Sequence, residues 1–380
     1  MRPVVVAVEV RYSTLLDLNK LRDVFLSIRN NSRHKDKIFT YQMFLMANLI
    51  NIKTILQDHT YVHGKYNIFL IHRPKSRVIM SENMTDKIVN HLVSRYCLFP
   101  LIEPKLIDMN VATREGKGSK AALLYVKKYL HHLKENHEHI YVLKCDIHKY
   151  FYSIDHELLL AKLSRLILDK DLFRLVKTII DSTDFDYVNQ ELASVINHRK
   201  QYICHSNINE REKKEQLARL DKIPFYEKGK GLPIGNMTSQ ILAIFYLNDL
   251  DHYIKEKLGI QCYIRYMDDL ILIHHDVNYL KKCLRQIEEK VHELRLSLNE
   301  KTQIYEVTNQ GFPFLGYRFV LRKKRLYILL LSNAKKRILH RLRKTANEDQ
   351  YDMLHQNYFG YLLPADSRGF LYEFKKKRLH

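Results

Sequence analysis

The chain has 380 residues, with 63 Lys and Arg against 42 Asp and Glu, and a formal charge of +21. That length exceeds one ordinary core and suits two or three lobes, and the charge calls for a polyanionic partner, either nucleic acid or an anionic membrane surface. No apolar run is long enough to span a membrane, and the opening "MRPVVVAVEVRY" is too short for a signal peptide and breaks at Glu9, so a soluble, cytoplasmic protein is expected.

Residues 1–60 read as irregular and helical, with amphipathic stretches at "LLDLNKLRDVFLSI" and "IFTYQMFLMANLI". "KYNIFLIHRPKSRVIM" predicts two short strands around a basic turn. "TDKIVNHLVSRYCLF" has helical spacing, and "ATREGKGSKAALLYVKKYLHHL" is a polar, Gly-bearing loop that opens into a helix. "IYVLKCDIHKYFYSI" is a buried strand ending in an acid; Asp155 then N-caps a helix with Glu157 in its first turn. Residues 183–230 are polar with weak periodicity and read as an insertion or a flexible connection. "GLPIGNMTSQ" reads as a loop, with Thr238 or Ser239 as a helix cap, followed by the helix "ILAIFYLNDLDHYIKEKL", stopped by Gly259. A hairpin over 263–276, a helix from about Val277 to Leu296, a hairpin in "GFPFLGYRFVLRKKRLYIL" and a basic helix "NAKKRILHRLRKT" complete the chain. From Gly316 to His380 there are 16 Lys and Arg against 5 Asp and Glu, so about half of the excess charge lies in a basic C-terminal lobe. The five cysteines form no CxxC pair and read as reduced and mostly buried, and the 20 His include no HExxH pattern.

The hairpin "YIRYMDDLILIHHD" sets Asp268 and Asp269 inside an apolar run. Buried carboxylates are costly without a partner. A tight turn favours Asp locally, and that alone could account for the pair. However, Asp146 also ends an apolar strand. If the two strands are sheet neighbours, Asp146 and Asp268 meet at one edge, and clustered carboxylates repel unless hard cations neutralise them. Mg²⁺ takes oxygen ligands and leaves positions open for phosphates. Two such ions about 4 Å apart serve an attacking and a leaving oxygen, which is phosphoryl-transfer chemistry.

These segments, in this order, resemble a bacterial reverse transcriptase. "VLKCDIHKYFYSI" and "YMDD" resemble the two palm acid motifs, and "GLPIGNMTSQ" the template- and nucleotide-positioning loop. "LSLNEKT" resembles the lysine motif, "FLGYRF" the strand leaving the palm, and "HRPKSRVIM" and "ATREGKGSKAAL" the fingers motifs. The resemblance runs from about residue 65 to 320 and more loosely to the end. It implies an α+β right-hand polymerase fold: a helical extension over 1–60, fingers and palm over 61–315, with an antiparallel sheet and helices, and a basic, helical, thumb-like region over 316–380.

The resemblance also implies roles. Asp146 and Asp268 would be metal-ligand acids, with the Ile147 backbone carbonyl completing the site and Asp269 either a ligand or a support. Two Mg²⁺ ions would be the cofactor, with Mn²⁺ as a substitute. Lys301 would stabilise or protonate the pyrophosphate leaving group. Lys75 and Arg77 would grip the triphosphate, and Arg114 would contact template or nucleotide. Gly235 and Gln240 would let backbone approach the base pair. Phe151, five residues after Asp146, would exclude a 2′-hydroxyl, unless Tyr150 or Tyr152 is the ring that does so. Lys335, Lys336, Arg337, Arg341, Arg343 and Lys344 would hold duplex backbone without reading sequence.

The partners implied are an RNA template, a DNA or RNA primer and dNTPs, with a dedicated noncoding RNA or small accessory protein as a further partner, and no membrane. Ile234 and Gln240 stand where group II intron enzymes usually carry Gln and Pro. The "IGNMTSQ" pattern resembles the enzymes of diversity-generating retroelements and of some antiphage-defence systems. A non-catalytic RNA-binding scaffold and a plain basic RNA-binding module are the other classes of reading. Intact Asp146, Asp268 and Lys301 speak against the scaffold, and a basic module would not need acids at two strand ends.

Overall fold

The short apolar runs in "NIFLI" and "RVIMS" form an antiparallel pair, β1 (Asn67–Ile71) and β2 (Arg77–Ser81), as expected. Ile68, Val78 and Met80 point to one side, and that side is buried. The computed structural model describes residues 10–32, 35–71, 76–308, 310–345, 348–366, 369–370 and 374. It divides by compactness into two units that interleave along the chain: one of residues 1–108, 147–251 and 290–297, the other of residues 109–146, 252–289 and 298–380.

The first unit holds the β1–β2 pair and most of the helices. Helices Leu18–Asn31, Lys35–Met43 and Leu45–Gln57 fall in the stretch expected to be helical. They are tied into the unit by Tyr12, whose amide donates to the Asp169 carboxylate at 2.7 Å and whose hydroxyl donates to the Leu56 carbonyl at 2.6 Å. Asp155 caps the helix His156–Leu163 by accepting from the Leu158 amide at 3.0 Å, with Glu157 in the first turn, as its sequence position predicts.

Residues 183–230 differ from expectation. They form two helices, Asp186–Cys204 and Glu210–Asp221, rather than a flexible connection. Val188, Leu192 and Ile196 recur every fourth residue, a narrow apolar stripe set among many polar residues. With Ile203 and Leu220 they cover Tyr66, Ile68, Val78 and Met80 in one core.

The second unit is built on a four-stranded antiparallel sheet of order β4-β5-β3-β6, from β3 (Tyr141–Asp146), β4 (Tyr263–Tyr266), β5 (Asp269–His274) and β6 (Gln303–Glu306). β3 is central, so Leu143 and Cys145 are buried on one face and Val142 on the other. The segment read as a hairpin after Gly311 is a three-stranded meander, β7 (Phe312–Phe314), β8 (Tyr317–Arg322) and β9 (Arg325–Leu330). The extra strand arises because Gly316 turns the chain between two apolar runs, at φ +90°. Val142, Ile264, Ile271, Phe312, Phe319 and Ile338 share the core of this unit. The observed mixture of helices and antiparallel sheets is the α+β architecture expected of a polymerase palm. Among the described residues no helix is long and apolar enough to cross a membrane.

Candidate functional site

β3 and β5 are neighbours, and their register sets Asp146 directly opposite Asp269. Tyr266 pairs with Asp269 across the other edge of β5, leaving Met267 and Asp268 as a two-residue turn. The two acids therefore part company: Asp268 lies in the turn, and Asp269 is already in the strand. Lys144 faces the same side as Asp146, two residues earlier, and sits diagonally from Asp269. Its Nζ lies 3.2 Å from Asp269 Oδ1 and 3.4 Å from the Pro313 carbonyl of β7. Asp269 thus has a protein cation beside it, which suits a supporting part more than a ligand's.

The turn is braced from below. Met267 has φ +57°, an uncommon conformation for a side chain of its size. Arg265, fully buried, donates from Nη1 to the Met267 carbonyl at 3.0 Å. The Arg265 backbone in turn bonds to Met109 and Val111, at 3.0 and 3.1 Å. That pairing delivers the loop carrying Arg114, whose Nη1 donates to the Asn110 carbonyl at 2.8 Å.

Lys301 is brought to Asp146 by its own turn. The Asn299 amide donates to the Asp146 carbonyl at 2.7 Å, and the Asp146 amide donates to Thr302 Oγ1 at 3.3 Å. The Lys301 amide donates to Asn299 Oδ1 at 3.1 Å. Asn299 and Thr302 flank Glu300–Lys301 and hold Asp146 from both sides, leaving the Lys301 side chain exposed. Lys144, Arg265, Asn299 and Thr302 were not singled out from sequence. Lys144 and Arg265 could have been, as isolated charges inside apolar strands.

The first unit carries another group of the sequence-predicted residues. Ile147 follows Asp146 directly and is buried. Of the three rings that follow, Tyr150 is buried with its hydroxyl on the Ala243 carbonyl, and Tyr152 packs on Tyr226 with ring centroids 4.7 Å apart. Burial pushes the Tyr152 hydroxyl up to about 12. Phe151 is half-buried. Its carbonyl accepts from the Leu232 amide at 2.7 Å, and the Ile234 carbonyl accepts from the Met80 amide at 3.0 Å. The loop before Gly235 therefore runs from Phe151 to β2, the strand that begins at exposed Arg77. Gly235 has φ +137°, and a Cβ there would lie 2.9 Å from the Met80 carbonyl oxygen. The helix after it begins at Met237, with Asn236 at the cap position, so Thr238 and Ser239 are buried helix residues and not caps. Thr238 donates to Asn90 Oδ1 at 2.7 Å because its hydroxyl, buried, needs a partner. Gln240 is the fourth residue of this helix and is half-buried. Lys75 lies outside the described residues.

The basic helix Ser332–Arg343 buries Ala334, Ile338 and Leu342 and exposes Lys336, Arg337, Arg341 and Arg343, with Lys344 exposed just beyond it. Lys335 is half-buried, its Nζ 5.7 Å from the Phe370 ring centre.

The family model described as reverse transcriptase (RNA-dependent DNA polymerase) matches residues 65–319. No curated protein matches the sequence. Among solved structures, the chain is similar to a telomerase from Candida albicans in complex with the TWJ fragment of telomeric RNA, at 14% identity and a TM-score of 0.44. That similarity covers 84% of this chain and 55% of the other, so the chain spans about half the length of that structure. The family is one of RNA-directed DNA polymerases, which are nucleotidyltransferases. Its matched span takes in β3, the β4–β5 turn, the Asn299–Thr302 clamp and the Gly235 loop and makes up more than half of the chain, and the chain belongs to the reverse transcriptase family.

Proposed function

We propose that this chain is an RNA-directed DNA polymerase that copies an RNA template into cDNA by two-metal phosphoryl transfer. The observation that carries the reading is the register of Asp146 against Asp269, with Asp268 at the adjoining turn and Lys301 on the turn whose Asn299 and Thr302 bond to the Asp146 backbone. The donor set fits a hard cation: Asp146 and Asp268 offer carboxylate oxygens at strand ends, the Ile147 carbonyl adds a third oxygen, and Asp269 is buffered by Lys144. Mg²⁺ bound there would activate the primer 3′-oxygen and stabilise the departing pyrophosphate.

The other roles belong to the protein itself. Lys301 sits on the turn that Asn299 and Thr302 fix, and it offers a cation or a proton to the pyrophosphate oxygen that loses its bond. Arg77, with Lys75, grips the triphosphate, and Arg114 takes template or nucleotide. Gly235 and Gln240 flank the nascent pair, and Phe151 sets the sugar preference. The exposed cations of the Ser332–Arg343 helix hold duplex backbone, as a thumb region over 316–380 would, after fingers and palm over 61–315 and a helical extension over 1–60. The partners are an RNA template, a DNA or RNA primer and dNTPs. The Ile234–Gly235 and Ser239–Gln240 pairs favour a bacterial retroelement of the diversity-generating type. A defence enzyme working with a noncoding RNA is the second reading, on the same residues.

Primer extension with purified protein and Mg²⁺ is the test. Asp146→Asn and Asp268→Asn each abolish DNA synthesis and leave RNA binding nearly intact. Extension at near wild-type rate by either variant refutes the metal assignment. An inactive wild type that still binds RNA would favour a scaffold.

A further inference from the structure

A second cluster of ligand atoms lies within the first unit, built from none of the residues above. His156, Asp181 and Asp184 place one ligand atom each within 4.8 Å of one another. His156 is 4% exposed, and its Nδ1 has no hydrogen-bond partner. Nδ1 lies 3.5 Å from Asp181 Oδ1 and 3.6 Å from Asp184 Oδ2.

The tautomer can be read from the other ring nitrogen. His156 Nε2 is 2.7 Å from the Gly231 carbonyl, which can only accept, so Nε2 carries a hydrogen. In the neutral ring Nδ1 is then a bare lone pair, aimed at two carboxylate oxygens. The remaining carboxylate oxygens are already engaged. Asp184 Oδ1 accepts from the Gly229 amide at 2.9 Å, and Asp181 Oδ2 accepts from Lys177. Each of the three side chains therefore turns one free electron pair inward and is oriented by a hydrogen bond on its other side. This is the arrangement that metal-binding imidazoles and carboxylates use to fix their direction.

We propose that His156 Nδ1, Asp181 Oδ1 and Asp184 Oδ2 form a structural site for a divalent cation of the zinc class. Zinc bonds to nitrogen and oxygen are about 2.0–2.1 Å, and a tetrahedron on such bonds separates its ligand atoms by roughly 3.4 Å. The two distances from Nδ1 are close to that edge. An imidazole ligand also suits zinc better than Mg²⁺, which prefers oxygen and retains its water. The three ligand residues line one surface depression together with Leu160, Lys177, Phe185 and Gly229. The ion would join two segments, the start of helix His156–Leu163 and the turn Asp181–Asp184, and both are hydrogen-bonded to the loop Gly229–Gly231 that leads to Gly235.

The test uses the full chain carrying Asp146→Asn and Asp268→Asn, so that the polymerase site contributes no metal. After EDTA treatment, Co²⁺ is titrated and followed by visible absorption, then displaced with Zn²⁺. One equivalent binds with the intense bands of tetrahedral cobalt, and Zn²⁺ at about 100 times its Kd shifts the folding equilibrium about 100-fold and raises Tm by several degrees. Adding His156→Gln or Asp184→Asn removes both effects. If those variants do not fold, the Zn²⁺-dependent rise in Tm, absent with Mg²⁺, is read on the parent alone. No rise in Tm with Zn²⁺ overturns the proposal and makes the occupant a proton on Nδ1. An undiminished response in folded variants also overturns it and assigns the metal to surface histidines.

Discussion

Replacing Gly235 with Ala separates two costs that the geometry lays out. The backbone at Gly235 has φ +137°, a conformation L side chains rarely adopt, which costs about 1–3 kcal/mol. The added Cβ also meets the Met80 carbonyl oxygen at 2.9 Å. That oxygen cannot swing away freely, because the Met80 amide is bonded to the Ile234 carbonyl at 3.0 Å and Met80 itself is buried. Forcing the two atoms together adds about 1–3 kcal/mol, so Gly235→Ala is expected to cost about 2–6 kcal/mol. Gly259 is the control. It has φ +61°, and nothing lies within 4 Å of its would-be Cβ, so Gly259→Ala should cost only about 1 kcal/mol. Urea unfolding of both variants measures the difference. Primer extension should fall more in Gly235→Ala than in Gly259→Ala at a temperature where both are folded, since the displaced strand is β2 and the displaced loop leads to Gln240. Equal losses of stability in the two variants would refute the claim that the Met80 carbonyl restricts this position.

Three further outcomes are expected. Phe151→Ala admits ribonucleotides, lowering discrimination against them at least about 10-fold while deoxynucleotide use persists; single-nucleotide incorporation checks this, and an unchanged preference in a folded variant removes Phe151 from the role. Changing Lys336, Arg337, Arg341 and Arg343 together to Gln weakens template–primer binding and lowers the log–log salt slope by roughly 0.7–0.9 for each phosphate that is no longer neutralised; an unchanged slope means the helix does not touch the backbone. The last concerns Asp155, where burial raises the carboxyl pKa, but the Leu158 amide and Arg295 outweigh it and hold it below its usual 3.8. A carboxyl depressed on folding contributes stability above its unfolded pKa and loses that contribution as pH falls through the folded one. Asp155→Asn, which keeps a capping oxygen, should therefore be less stable than wild type at neutral pH and equal to it in acid, as thermal melts from pH 7 to 2 would show.

Local chemistry alone made much of this molecule legible. The end of β3 at Asp146, the cap at Asp155, the β1–β2 pair, the stop at Gly259 and the basic helix after Leu331 all follow from periodicity and from residues whose backbone preferences are strong. The ordered motifs indicated the family. What the chain could not disclose locally depends on partners distant in sequence. The pairing that sets Asp146 against Asp269 and leaves Asp268 at the turn is a matter of strand register, and register is decided between segments more than a hundred residues apart. The same holds for the grip of Asn299 and Thr302 on Asp146, and for Arg265, whose charge inside a strand is explained only by the turn carbonyl it supports. The helices within 183–230 escaped sequence reading because a narrow apolar stripe is too weak to set a period and is stabilised by the core it covers. His156, Asp181 and Asp184 share no motif spacing at all. Only the folding of one segment onto the other turns a capped helix start and the two acids of a short turn into a cluster of inward-facing electron pairs.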